Sequence, residues 1–470
     1  MADPAEATST SAAGSVSAAA SALEMTGPPR VYLECTTTVA SRYRTGIQRM
    51  VRGIVEAALT TPGPWTCVPI VYNGRFFETV DRLPAPQTDG ARPAGANAID
   101  VLRRAFHEAR ASVGRYFPFV PLRAALHSPR LEFYLRRGVN ALQNSRRWVG
   151  SFRHRGARIA FAPGDVLVLL DSTWSVDMSR ELKRVRAGGA RIWAVVQDLI
   201  PIDHPELAPE GLPMLLEAWL QRTVPLCDGL LAISRTVAGD LSAYLARRFA
   251  GRPVPQVHSF YPGAGLDPAM SDAEGLTAVA EAFRSHSASA FIVVGTIEPR
   301  KDVGSIIAAF ECLWSEGSDA ALLLFGRAGW RSYELIDRVR AHPERGRRLF
   351  WFERASDAEL DFAYRHATAL IFASRCEGFG LPLVEAMQYG LPVLASDIPI
   401  FREIGGEYPQ FFPAGDELAL YEAVRRHIEA RSSHPATPRT PRAWLSWPDS
   451  ARTLLDKVTA RQRASERRDP

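Results

Sequence analysis

Short apolar runs bounded by Gly, Asp, Ser or a charge recur along this chain and alternate with stretches of helical period. In the first half they are Val31–Glu34, Val166–Asp171, Arg191–Val196 and Leu230–Ile233. In the second half they are Phe291–Val294, Leu322–Phe325, Leu349–Phe352, Ala369–Phe372 and Pro392–Ala395. A strand that reads as a continuous apolar run is one buried on both faces, as in a parallel sheet covered by helices. The intervening stretches fit that covering role: Val303, Ile306, Ile307, Phe310 and Trp314 fall on one side of a helix. The pattern therefore predicts an α/β unit, twice over.

Length agrees, since 470 residues exceed one ordinary core. The turn-rich run Tyr261-Pro262-Gly263-Ala264-Gly265 marks the boundary before Phe291. The chain divides into a tail (1–28), a first domain (29–268), a second domain (269–430) and a connector with a final helix (431–470). The tail, mostly Ala, Ser and Thr, lacks the basic start and apolar stretch of a secretory signal and is expected to be disordered. No apolar run approaches the roughly 20 residues of a membrane helix. The five cysteines are far apart, with no C-x-x-C, which predicts reduced cytosolic thiols rather than a disulfide frame or zinc site.

Charge adds two features. Only three of the 56 basic residues are lysines (Lys183, Lys301 and Lys457), so each one stands out. Residues 102–158 carry thirteen arginines against Glu108 and Glu132, with aromatics between them and a helical seam of Leu131, Leu135, Val139 and Leu142. Basic amphipathic segments bind anionic lipid, at about 1 kcal/mol per basic residue near the surface. The same seam could instead pack on the first domain and leave the arginines solvated; both readings stay open. Nucleic acid is not an expected partner, because no nucleic-acid-binding fold accompanies the charge.

Two loops carry candidate chemistry. Phe291 to Asp302 runs from a strand through Gly295 and Arg300-Lys301 into a helix, with Asp302 at the N-cap position. Helix N-termini at the carboxyl ends of α/β strands favour anions, and an Arg fork beside a compact Lys suits a diphosphate. The bland alternative, two solvated loop cations, has even weight here. The second loop, Cys376-Glu377-Gly378-Phe379-Gly380-Leu381-Pro382, leads into a helix with Pro382 at its first position and Glu385 in its first turns. Its glycines allow close backbone approach to a ligand, and its two carboxylates can accept hydrogen bonds from ribose or sugar hydroxyls. Taken singly, Glu385 could merely complement the helix dipole, and Glu377 could be a solvated acid.

These loops, with Gly326-Arg327-Ala328-Gly329-Trp330, Thr45-Gly46-Ile47-Gln48-Arg49, Asp198-Leu199-Ile200-Pro201 and Ser446-Trp447, resemble the family 4 retaining glycosyltransferases. The likeness is to the bacterial branch that builds O-antigens, capsules and exopolysaccharides, many of whose members are mannosyltransferases. It implies a GT-B fold: two Rossmann-like domains facing across a cleft, with a C-terminal helix crossing back to the first. It further implies that Arg300 and Lys301 hold a donor diphosphate, Glu385 the ribose, and Glu377 the transferred sugar. The Gly378–Leu381 backbone would lie beside that sugar, with Gly46 and Gly295 near the phosphates. The implied partners are a nucleotide sugar, GDP-mannose first, and a lipid-linked or polysaccharide acceptor. The implied location is the cytoplasm, or the inner face of the cytoplasmic membrane.

On the acceptor side, Asp198 ends a buried run and reads equally as a cleft contact or a turn residue. Members of the family often carry His or Tyr just before this Asp; here it is Gln197, which is no base near neutral pH. Asp171 reads as cleft lining or turn, His204 as a loop residue, and Ser234 as an N-cap. No D-x-D and no metal-ligand spacing occurs, so the expectation is transfer without a metal or other cofactor. Two rivals remain: a GT-B epimerase or phosphorylase, and a degenerate nucleotide-sugar-binding protein.

Overall fold

The computed structural model describes residues 28–41, 45–84, 158–266, 273–286, 289–433 and 440–460. The N-terminal tail through residue 27 and residues 102–157 of the arginine-rich segment, with its leucine seam, lie outside that set.

Two sheets organise the chain. The first contains β1 (Arg30–Glu34), β2 (Thr66–Tyr72), β3 (Phe77–Thr79), β4 (Val166–Leu169), β5 (Arg191–Val196), β6 (Gly229–Ala232) and β7 (Gln256–Ser259). Its order is β3-β2-β1-β4-β5-β6-β7, parallel except for the β2–β3 hairpin. The second contains β8 (Ala290–Val294), β9 (Ala321–Phe325), β10 (Leu349–Phe352), β11 (Ala369–Phe372), β12 (Val393–Ser396) and β13 (Gln410–Phe412). It is all parallel, in the order β10-β9-β8-β11-β12-β13.

Every continuous apolar run singled out in the sequence forms a strand, and β1, β4, β8, β9, β11 and β12 are buried almost throughout. Four further strands do not show in that pattern. β7 and β13 are short, partly exposed edge strands, and β3 has three residues. In β2 the partly exposed run Thr66–Tyr72 contains Pro69, which breaks a strand signal. Edge strands lack the two-sided burial that makes a parallel strand read as apolar.

In each sheet the strand order reverses once, between β1 and β4 and between β8 and β11. The crevice outside the carboxyl ends at such a switch point is where doubly wound sheets bind ligands. Both loops named above leave the second sheet there, one after β8 and the other after β11.

The final helix Trp447–Thr459 returns to the first domain, as the GT-B resemblance implies. It buries Ala451, Leu454, Leu455 and Val458. Gly53 makes room for it: a Cβ there would stand 2.3 Å from the Trp447 ring. Ser450 donates to the Tyr261 carbonyl at 2.7 Å, and Arg191 donates to the Ala460 carbonyl at 3.1 Å. No helix among the described residues is long and apolar enough to cross a membrane.

Candidate active site

After β8 the chain turns at Gly295 (φ 143°), a left-handed position whose missing side chain leaves space for Lys301; a Cβ would lie 3.3 Å from Lys301 Cε. A short 3-10 turn, Pro299–Lys301, then presents both cations before the helix Val303–Ser315 begins. Asp302 occupies the N-cap position but does not cap. Its backbone is left-handed (φ 51°), and its carboxylate takes Arg375 at 3.1 Å and Ser305 Oγ at 3.0 Å instead of a helix amide. The competing guanidinium displaces the simple cap.

Arg300 and Lys301 converge on Glu377. Arg300 lies 2.5 Å from one Glu377 oxygen and 2.5 Å from Glu298, while Lys301 pairs with the other Glu377 oxygen, which also accepts from Ser374 Oγ at 2.9 Å. The Lys301 ammonium also sits 4.6 Å over the Phe372 ring. These groups are largely out of water. Burial alone would push the Glu377 carboxyl up, but the two cations overcome it and hold it at about 2. Burial draws the Lys301 ammonium below its ordinary value and pushes Glu298 up. The Arg300–Lys301 pair is therefore not a pair of solvated loop cations. It is a largely desolvated pair of cations whose present counter-ions are the Glu377 and Glu298 carboxylates, and an anionic ligand would compete with them for it.

The Gly378–Leu381 stretch docks this centre against the first domain. Ser234, an N-cap as expected through its bond from the Val237 amide, also donates to the Gly378 carbonyl at 3.0 Å. A Cβ on Gly378 would stand 2.4 Å from the Gln197 carbonyl oxygen and 3.1 Å from Asp198 Cβ. Asp198 thus borders the cluster, and burial raises its carboxyl while the Arg300 charge opposes that rise. It also accepts from the Ile200 amide at 3.1 Å, so its cleft and turn readings both hold. Gln197 is buried and donates to the Leu170 carbonyl at 3.0 Å. Phe379 packs near Tyr261 and Trp444, and Gly380 turns at φ 106°. Leu381, not Pro382, is the first helical residue; Pro382 is second.

Glu385 stands apart from this cluster. It is fully buried, with one oxygen paired to Arg49 of the first domain and the other accepting from Tyr364 at 2.8 Å. Gly46 begins the helix that carries Arg49 and faces Leu381, 4.0 Å from where its Cβ would be. Arg49 and Glu298 stand in motifs visible in the sequence but without a role there, and Tyr364 and Ser374 lie outside those motifs. Arg49 was findable, since it lies three residues after Gly46 and shares its helix face. Tyr364 carries no such signal.

A second buried carboxylate pair sits at the switch point of the first sheet. Glu34 ends β1 and accepts from the Thr36 amide at 2.7 Å; Asp171, just past β4, accepts from the Thr38 and Ser172 amides. Burial, then their mutual repulsion, pushes Glu34 up, and burial raises Asp171. Asp171 is thus a buried partner of Glu34 as well as a turn residue. His204 follows a short helix, its imidazole 3.5 Å from Glu206.

Part of the chain is similar to known proteins. Residues 281–437, which hold Arg300, Lys301, Glu377 and Glu385, match the family described as glycosyl transferases group 1. The serotype-specific mannosyltransferase WbdA of Escherichia coli is 37% identical over 309 residues, which is 64% of this chain and 38% of that protein. The chain thus spans little more than a third of the WbdA relatives it matches. O-antigen chain mannosyltransferase B of Escherichia coli is 34% identical over 120 residues, 25% of this chain and 30% of that protein. The Arg-Lys-Glu centre at the switch point of the second sheet thus lies inside the residues that match the glycosyl transferases group 1 family.

Proposed function

We propose that the protein transfers a hexose, with retention at the anomeric carbon, from a nucleoside-diphosphate sugar to a lipid-linked or polysaccharide acceptor in bacterial surface-glycan synthesis. Mannose from GDP-mannose is the first donor to test, in keeping with the mannosyltransferases it resembles. The observation that carries the reading is the Arg300–Lys301–Glu377 centre, facing Asp198 across the cleft. In the reaction the acceptor oxygen bonds to the anomeric carbon as the bond from that carbon to the diphosphate oxygen breaks. The acceptor proton leaves on the departing phosphate oxygen. Arg300, Lys301 and the amides opening the helix Val303–Ser315 balance the developing charge. Displaced from the cations, Glu377 is free to accept from the sugar's hydroxyls, while Glu385 takes the ribose only by releasing Arg49 or Tyr364.

This assignment needs no divalent metal, because the two side-chain cations supply the diphosphate's counter-charge. The site of action would be the cytoplasm, with the arginine-rich segment 102–158 bringing the protein to the inner face of an anionic membrane.

The deciding experiment is a screen of nucleotide sugars for thermal stabilisation, which reports ligand binding to the native state by mass action. Donor-dependent product formation by purified protein follows, with the product's anomer read by NMR. Transfer should survive EDTA. Donor turnover without any glycosyl acceptor would point to an epimerase, and binding without turnover to a degenerate receptor.

A further inference from the structure

A cavity of about 370 Å³ opens beside the catalytic centre, with Glu377 and Asp198 in its lining. Part of its first-domain wall is a stripe of the helix Arg235–Arg248: Thr236, Asp240, Ala243 and Arg247 follow at helical spacing, beside Asp198 to Ile200, Asp203 and His204. Apart from Ala243 that stripe is polar, yet it faces a cavity between the domains. Opposite it, Ile398 and Ile400 of the second domain give a buried apolar patch. Arg375, held by Asp302 at 3.1 Å, closes that side. An apolar patch facing carboxylate and guanidinium groups suits a sugar ring, which has a C–H face and a hydroxyl edge. The volume lies at the small end of ligand pockets, which run from about 300 Å³ upward, and suits one or two rings.

We propose that this cavity is the acceptor subsite, taking the terminal sugar of a glycan with Asp240 and Arg247 on its hydroxyls and Ile398 and Ile400 against its apolar face. The assignment rests on the glycosyl-transfer reading above. The cavity touches the reacting centre at Glu377 and Asp198, so a ring bound in it lies beside the transferred sugar. One observation favours the acceptor over the donor sugar. The cavity's rim residues Asp203, His204, Asp240 and Arg247 are exposed, so a glycan attached to the bound ring can continue into solvent. A donor sugar, tied only to its diphosphate, needs no such exit.

The test uses the full chain with GDP-mannose as donor and α-linked mannobiose as acceptor probe. Asp240→Ala and Arg247→Ala should each raise the acceptor KM about tenfold, the loss expected for one hydrogen bond to a charged group. Turnover at saturating acceptor, and GDP affinity by calorimetry, should stay as in the wild type. An unchanged acceptor KM in both variants, or a loss that falls on GDP affinity, overturns the subsite while leaving the transfer reading standing. If GDP-mannose is not turned over, saturation-transfer NMR of mannobiose still decides. Binding to wild type that both variants lose supports the cavity and sinks the donor assignment, and no binding to wild type overturns the cavity.

Discussion

Arg300, Lys301 and Glu377 are worth most where water is scarce, because each group there depends on the others for its charge. Arg300→Ala and Lys301→Ala should each lower turnover by orders of magnitude, about 2–4 kcal/mol in barrier by analogy with a lost oxyanion donor. Steady-state kinetics, with circular dichroism to check the fold, measures this. The two glutamates should separate. Glu385→Gln should weaken binding of free GDP by about 1–3 kcal/mol in calorimetry. Glu377→Gln should lower turnover and spare GDP affinity, since Glu377 pairs with the cations and would contact the sugar. Equal affinity losses would contradict that division. The buried carboxylates also set opposite pH trends in stability. Glu377 is depressed from 4.5 to about 2, so its pairing stabilises above pH 4.5 and fades as pH falls towards 2. Glu34 is raised, so its contribution is full below pH 4.5 and is lost as pH climbs towards 8. In thermal melts Glu34→Gln should flatten the alkaline decline, and Glu377→Gln the acid one. A melting profile unchanged in both variants would contradict the burial argument.

At the scale of elements, the loop after β11 does two things at once: it supplies Glu377 to the centre and seats the second domain on the first. Gly378 is where those duties meet, since its Cβ would lie 2.4 Å from the Gln197 carbonyl oxygen. Backbone cannot yield as a flexible side chain can. Gly378→Ala should therefore shift the loop, cost about 1–3 kcal/mol of stability, and slow turnover on the order of 10²-fold through misplacement of Glu377. Denaturant unfolding and kinetics measure both, and wild-type turnover would show the contact to be slack. Much at this scale was legible from sequence. A strand covered on both faces must be apolar throughout, so β4, β5, β9 and β11 announce themselves. Edge strands such as β7 and β13 need no such run, and Asp302 reads as a cap until Arg375 claims its carboxylate.

Across the whole molecule the cleft is bridged at several points. Glu403 of the second domain accepts from the Arg235 and Thr236 amides at 2.7 Å and from Tyr261 Oη at 2.9 Å, satisfying the first-domain helix Arg235–Arg248 at its N-terminus. Trp330 and Arg331 donate to the Leu207 and Glu206 carbonyls. The arginine-rich stretch follows β3 in sequence, and the described chain resumes at Arg158, whose backbone pairs with Glu78 in an isolated antiparallel bridge. If that stretch recruits the protein to membranes, it should co-sediment with anionic vesicles and release steeply with salt. Equal binding to neutral vesicles, or none at low salt, would leave the arginines as a solvated face.

Sequence alone determined what depends on neighbours a few residues apart. That includes the alternation of buried strands with helices, the cation pair at a strand-to-helix turn, the glycine-rich loop, and the Ser234 cap. Hydrophobic period and capping chemistry are local, so they can be read without knowing what the chain meets in space. Tertiary structure decided the partners. Glu385 meets Arg49 from a helix 336 positions away, Glu377 turns onto Lys301, 76 positions before it, and Glu34 finds Asp171 across the β1–β4 switch. Which charges end up paired, and so which of them titrate abnormally, follows from how two sheets and a returning helix pack, and no local period encodes that.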